Sequence, residues 1–191
     1  MSNEISKRIL DATLEIIAKE KISGTRMHLI AKEAGMGQSN LHYYYPTKND
    51  LLIALLDDLQ QKFSEKRTQS VDLEKKSFEE NLEGLFNERK DVILNNKKID
   101  YVQFDYWVQG TVDPEIRAKF QKSFDIWRKS IADVLKMHPD SDSGKNVEML
   151  SILAVSIMMG ATMQYLIDEG KFDLDEYFQT AEKMLLDYLK K

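Results

Sequence analysis

The chain has 191 residues, no cysteine, eight glycines and three prolines, and carries a formal net charge of −5. The missing thiols exclude disulfides, thiolate metal sites and cysteine nucleophiles, and so few chain breakers speak for long helices over short strands and tight turns. A hydrophobic share of 42% is enough for a sizeable core.

The start, MSNEISKRIL, has no long apolar run, so together with the absent cysteines it points to a cytoplasmic protein. Charge is unevenly spread. Residues 1–48 hold seven basic and five acidic side chains, a balance of +2 that leaves −7 for the remainder. A mildly basic head on an acidic body is compatible with one end touching phosphate.

Ile5, Ile9, Ala12, Ile16 and Ile17 recur at helical spacing and predict a first helix from about Glu4 to Glu20, ended by Ser23-Gly24. Thr25 is placed to cap a short second helix carrying Met27, Ile30, Ala31 and Ala34, and Gly35 follows where a left-handed residue closes a helix. After Met36 and Gly37 a third short helix runs from about Gln38 to Tyr44, stopped by Pro46. Thr47 caps a fourth helix, with Asp50 completing a variant capping box, and Leu51, Leu52, Leu55, Leu56, Leu59 and Phe63 form its apolar side.

Ser64 to Lys76 is polar and reads as a fraying helix end and a loop. Helical patterns resume with Phe78, Leu82, Leu85 and Phe86, then Val92 to Leu94, followed by an aromatic block from Tyr101 to Trp107. Asp113-Pro114 starts a helix with Ile116, Phe120, Phe124, Trp127 and Ile131 on one face. His138 to Lys145 reads as a loop. A strongly apolar helix spans about Val147 to Ile167 and an amphipathic one about Leu174 to Leu189. The apolar helix is of about the minimum length for a membrane span, but Ser151, Ser156, Thr162 and Gln164 interrupt it and no strong basic flank accompanies it. It is therefore expected to be buried in protein, with no membrane involved.

The reading is an all-α fold: a three-helix, helix-turn-helix head over 1–47 and a helical bundle over 48–191. Two short helices joined by a glycine-containing turn make the helix-turn-helix pattern. Ala31 and Ala34 are small enough for close helix crossing, and Met36 and Leu41 fill the angle. The other face of the third helix is then Gln38, Ser39, Asn40, His42, Tyr43 and Tyr44, side chains able to reach base edges and phosphates in a major groove.

Three stretches carry a specific resemblance: Thr25 to Met36 (TRMHLIAKEAGM), Leu41 to Tyr45 (LHYYY), and Thr47 to Leu52 (TKNDLL). In this order and spacing the chain from about Ile9 to Leu56 resembles the tetracycline-repressor (TetR) family of transcriptional regulators. The resemblance implies that Gln38, Ser39, Asn40 and His42 face bases and that Tyr43 contacts phosphate. It implies that Thr25 and Lys48 lie at helix N-termini pointing at the DNA backbone; Arg26 is counted with them. Ile30, Ala31, Ala34, Leu41 and Tyr45 match structural positions. There are departures. Gly37 stands where the family often has a Ser or Thr cap, Ser39 where it often has glycine, and His42 and Tyr45 replace a usual Tyr and Phe. The Tyr45 hydroxyl needs a partner if buried.

For the body, the resemblance implies a small-molecule effector pocket and a homodimer formed through the last two helices. Phe104, Trp107, Phe124, Trp127, Met159 and Met163 belong to an unusual concentration of aromatic and methionine side chains suited to such a pocket. Asp105, beside Tyr106 and Trp107, adds the option of a cationic effector, so an apolar or cationic molecule is expected. Double-stranded operator DNA is the other partner. No cofactor or metal is called for, and the chain is not expected to be an enzyme. His28, His42 and His138 lack ligand spacing, and no phosphate loop or nucleophile elbow is present. The competing reading is a helical adaptor that binds another protein and no DNA.

Overall fold

The computed structural model describes residues 2–141 and 145–189. Those residues form nine helices and no strand: α1 (Ser2–Gly24), α2 (Met27–Glu33), α3 (Gln38–Tyr44), α4 (Lys48–Ser70), α5 (Phe78–Asn95), α6 (Lys97–Gly110), α7 (Pro114–Leu135), α8 (Lys145–Ile167) and α9 (Leu174–Leu189). The fold is all-α. The chain makes two compact units, Met1–Lys62 with Lys98–Phe120, and Phe63–Lys97 with Gln121–Lys191. Of the expected loop from His138 to Lys145, residues 142–144 lie outside the described residues.

The first unit has two apolar clusters. Ile9, Ala12 and Ile16 of α1 meet Ile30, Ala31 and Ala34 of α2, Leu41 of α3 and Leu51 of α4. Ile17, Leu52, Leu55, Leu56 and Leu59 meet Val102 and Tyr106 of α6 and Ile116 of α7. Tyr106 is wholly buried, and its hydroxyl donates to the Leu52 carbonyl at 2.8 Å. Burial raises the phenol's pKa far above its ordinary value, so it stays neutral.

Local signals set most of the head. α2 closes on Gly35 at φ +63°, with Gly35 N–H donating to Lys32 O at 3.1 Å and Met36 N–H to Ala31 O at 2.9 Å. That paired closure fills two bare helix carbonyls and needs a residue without a Cβ at the left-handed position. α4 starts with the expected box: Thr47 N–H donates to Asp50 Oδ2 at 2.9 Å, and Asp50 N–H to Thr47 Oγ1 at 3.1 Å.

Two expectations are corrected, and α1, which ends at Gly24 as expected, is broken at Lys21 (φ 60°, ψ 167°). This is a region that almost only glycine occupies, at a cost of about 1–3 kcal/mol, so surrounding contacts must hold it. Thr25 does not cap α2: the N-cap is Arg26, without a side-chain cap, and the Thr25 hydroxyl turns back to donate to Lys21 O at 2.7 Å. The break leaves that carbonyl without a helical partner, and buried Thr25 supplies two donors, since its N–H reaches it too at 3.0 Å. α4 does not fray at Ser64 but continues to Ser70, because Phe63 and Arg67 on its inner side are buried.

In the second unit α5 begins with a full capping box of Ser77 and Glu80. Buried Asn81 ties down the loop before it, accepting from Asp72 N–H at 2.7 Å and donating to the carbonyls of Asp72, Lys76 and Ser77. The core joins Leu82, Leu85 and Phe86 of α5, Ile131, Val134 and Leu135 of α7, Leu150, Ala154, Val155, Met158 and Ala161 of α8, and Phe178, Ala181 and Leu185 of α9. By length and composition α8 is apolar enough to cross a membrane, over Val147–Ile167. One side of it packs in this core, and the other leaves Met149, Ile152, Leu153, Met163 and Ile167 exposed.

Candidate nucleic-acid interface

Helix α3 is seven residues long and is held by a single buried anchor, Leu41, at 0% exposure. The side chains assigned to base contact are outside: Gln38, Ser39, Asn40 and His42 are exposed, and Tyr43, assigned to phosphate, is 80% exposed. One turn of helix fixed from below thus presents five polar groups together. Tyr43 is steadied by an edge-on contact with the half-buried Tyr44 ring, centroids 5.4 Å apart. Tyr45, also half-buried, packs against the α1–α2–α3 cluster.

The structure joins two of the polar groups. His42 Nδ1 lies 3.0 Å from Pro46 O, and His42 Nε2 lies 3.4 Å from Gln38 Nε2. One tautomer satisfies both: Nδ1–H donates to the carbonyl, and Nε2 accepts from the Gln38 amide. Gln38 and His42 are therefore aimed as a pair. Gly37 is the N-cap of α3, in extended conformation with no side-chain cap and no heavy atom near a built Cβ, so the Ser or Thr cap that is missing here would fit.

The other three residues assigned to DNA contact occupy the junction of α1, α2 and α4. Thr25 is buried with its hydroxyl on Lys21 O, so its side chain does not point outward. Exposed Arg26 donates from Nη1 to Ser23 O at 2.7 Å and to Thr25 O at 3.1 Å. Lys48 is half-buried, and its ammonium donates to Ile22 O at 2.6 Å. Burial, and then the neighbouring Arg26 charge, lower the Lys48 pKa from its ordinary value, while Asp105 acts in the opposite sense. Two cations are thus brought within mutual repulsion at the rim of the head, an arrangement that an added anion relieves.

Asp105 has a definite task. Its Oδ2 accepts the Ile22 N–H at 2.5 Å, so the Ile22 backbone is held through its N–H by Asp105 and through its carbonyl by Lys48. The Asp105 carboxylate that suggested a cationic effector is thus engaged by the backbone of α1.

Of the six residues assigned to an effector pocket, Phe104 and Trp107 lie in the first unit, and Trp107 is 47% exposed. Phe124, Trp127, Met159 and Met163 lie in the second; the first three belong to its apolar cluster or pack on it, and Met163 is exposed. A surface groove of about 630 Å³ in the second unit is lined by other residues, among them Ile157, Phe172, Glu176, Tyr177 and Met184. The sequence reading passed over Arg67, whose signal was present: it continues the spacing Leu52, Leu56, Leu59, Phe63 on the inner side of α4. Among the described residues no group of three or more His, Cys, Asp or Glu is placed to hold a metal.

Residues 9–55 match the family described as bacterial regulatory proteins, tetR family. Over 50 residues the chain is 44% identical to the HTH-type transcriptional regulator RutR of Escherichia coli (strain K12), a stretch that covers 26% of this chain and 24% of that relative. The match therefore spans about a quarter of the curated relative's length. Among solved structures, a TetR transcription regulator from Haloarcula marismortui ATCC 43049 is similar with a TM-score of 0.81 at 21% identity, over 98% of this chain and 97% of that one. The transcriptional regulator FadR from Bacillus subtilis in complex with stearoyl-CoA follows with a TM-score of 0.75 at 18% identity, over 95% and 98%. At these identities the structural likeness shows the fold alone.

Proposed function

We propose that the chain, whose residues 9–55 match the tetR family of bacterial regulatory proteins, is a homodimeric repressor that leaves a palindromic operator when a small effector binds its helical body. The observation that carries the DNA-reading part is the exposed polar face of α3, with Gln38, Ser39, Asn40, His42 and Tyr43 outside and Leu41 anchored at 0% exposure. Gln38, Asn40 and His42 read base edges, Ser39 lets the helix approach, and Tyr43 holds phosphate. Arg26 and Lys48 take a second phosphate, which relieves their repulsion. Thr25 acts from beneath by fixing the break after α1.

One seven-residue helix reads few bases, so two copies related by a two-fold axis are needed. The exposed residues Met149, Ile152, Leu153, Met163 and Ile167 of α8, the last at 85% exposure, recur at helical spacing, and Met184 and Tyr188 of α9 do the same. Such a face on a single copy supports pairing through α8 and α9 into an intersubunit four-helix bundle. An effector with an apolar body acts by linkage: it must bind better to a dimer whose heads are wrongly spaced. Helix α4 runs from the head to the body, so a shift at its end spoils the half-site spacing of about 34–36 Å. The protein acts in the cytoplasm and needs no cofactor.

The test is selection of random duplexes by the purified full chain, followed by sequencing. An enriched inverted repeat is expected. Recovery of duplexes with no shared site would sink the reading and leave the adaptor alternative.

A further inference from the structure

Three helices of the second unit carry polar side chains towards its apolar interior: Arg67 from α4, half-buried Glu88 and buried Arg89 from α5, and Thr162 from α8, with Trp127 of α7 beside Arg67. The Thr162 hydroxyl is fully engaged, accepting from Arg89 Nε at 3.0 Å and donating to Met158 O at 2.8 Å. Arg67 and Glu88 are different. Arg67 is 8% exposed and its guanidinium lies over the Trp127 ring, 5.2 Å from the centroid, yet among the described residues that guanidinium donates to no acceptor and joins no ion pair, the bond from Ser70 Oγ reaching the Arg67 carbonyl instead. Glu88 Oε1 is buried with no hydrogen-bond partner. The two groups sense each other's charge without bonding.

The Arg67 guanidinium offers five donors at this apolar interior, and none of its nitrogens is both sealed from solvent and unpaired, so the donors are open to an incoming acceptor. Its planar fork matches a carboxylate better than any other common group. Glu88 is a weak counter-ion, because burial pushes its carboxyl above the ordinary range against the pull of Arg89, Arg67 and Lys66. Trp127 belongs to the apolar cluster on which Phe124 and Met159 pack, so the surroundings of the cation are greasy.

We propose that Arg67 is the anchor for a carboxylate on the effector, whose apolar remainder lies among Trp127, Phe124 and Met159. This rests on the reading that the body binds an effector and sharpens it, from an apolar or cationic molecule to an anionic one.

The test is calorimetry on the full chain with a series of straight-chain and aryl carboxylates, each beside its methyl ester, its trimethylammonium counterpart and its phosphate monoester. A carboxylate is expected to bind while its counterparts do not. Arg67→Met should weaken it by roughly 10- to 100-fold, the range for a hydrogen bond to a charged group, and Arg67→Lys should recover part of the loss. Glu88→Gln should leave carboxylate binding intact or tighter, a readout that survives if Arg67→Met fails to fold. Binding of ester, ammonium or phosphate as tight as the acid, indifference to Arg67→Met, or no carboxylate binding overturns the proposal. Deproteinised small-molecule extract of the source cells, split on an anion exchanger, separates the two levels. Release of bound DNA by the unretained fraction alone keeps the effector reading and overturns the anion. Release by neither fraction overturns both.

Discussion

The carboxylate of Asp105 on α6 accepts the backbone N–H of Ile22 at the end of α1, across 83 positions of chain. Lys48, the first residue of α4, takes the carbonyl of the same residue. The backbone of Ile22, next to a strained Lys21, is thereby tied on both sides of its Cα to two other helices. Asp105→Ala leaves a buried N–H without a partner and should cost about 1–3 kcal/mol in urea unfolding. Asp105→Asn keeps an acceptor oxygen and should cost less. Equal losses in the two variants would mean that the carboxylate's charge, not its hydrogen bond, is what matters.

Two glycines inside helices predict opposite outcomes. Alanine normally stabilises a helix interior by about 1 kcal/mol over glycine. At Gly84 a Cβ would sit 2.6 Å from the backbone oxygen of Ser70, so α5 and the end of α4 must separate. Gly84→Ala should lose about 1–3 kcal/mol, the overpacking cost exceeding the propensity gain. At Gly160 a Cβ meets no heavy atom within 4 Å in the single chain. Gly160→Ala should therefore leave the monomer as stable or more so while weakening the dimer, as read by sedimentation. A variant that pairs as tightly as the parent would move the interface away from Gly160.

The Glu88 carboxyl is raised above its ordinary value of 4.5, by burial first. In the interval between that value and its higher folded value the native state holds more protons than the unfolded one, so stability falls as pH rises through it. Stability curves of the parent and Glu88→Gln should converge at low pH and separate above about pH 4.5, with the parent losing ground. Parallel curves across that window would show Glu88 ionising freely.

The head was legible because its signals are local. Ala31, Ala34 and Gly35 specify a close crossing and a left-handed closure within five residues, and Thr47 with Asp50 specifies a helix start within four. The family model falls on the same stretch. The Ser77–Glu80 box is equally local and readable. What escaped depends on distant partners. Lys21 takes a positive φ inside α1, because Asp105 and Lys48 hold the backbone of the next residue. Thr25 caps backwards because the break bares the Lys21 carbonyl. Arg67 lies in a stretch that reads as polar; its α4 spacing places it on the inner side, while its partner, the Trp127 ring, is 60 residues away.

The most direct measurement is the affinity of the full chain for its own upstream DNA, by fluorescence anisotropy at low and moderate salt, beside Tyr43→Ala. A reading head that places Tyr43, Arg26 and Lys48 on phosphates predicts specific binding that falls on the order of a hundredfold or more between about 50 and about 200 mM salt. Tyr43→Ala should weaken it further while leaving the fold intact, since the side chain is 80% exposed. Binding that ignores both salt and Tyr43→Ala, or no binding to any upstream fragment, would contradict the account.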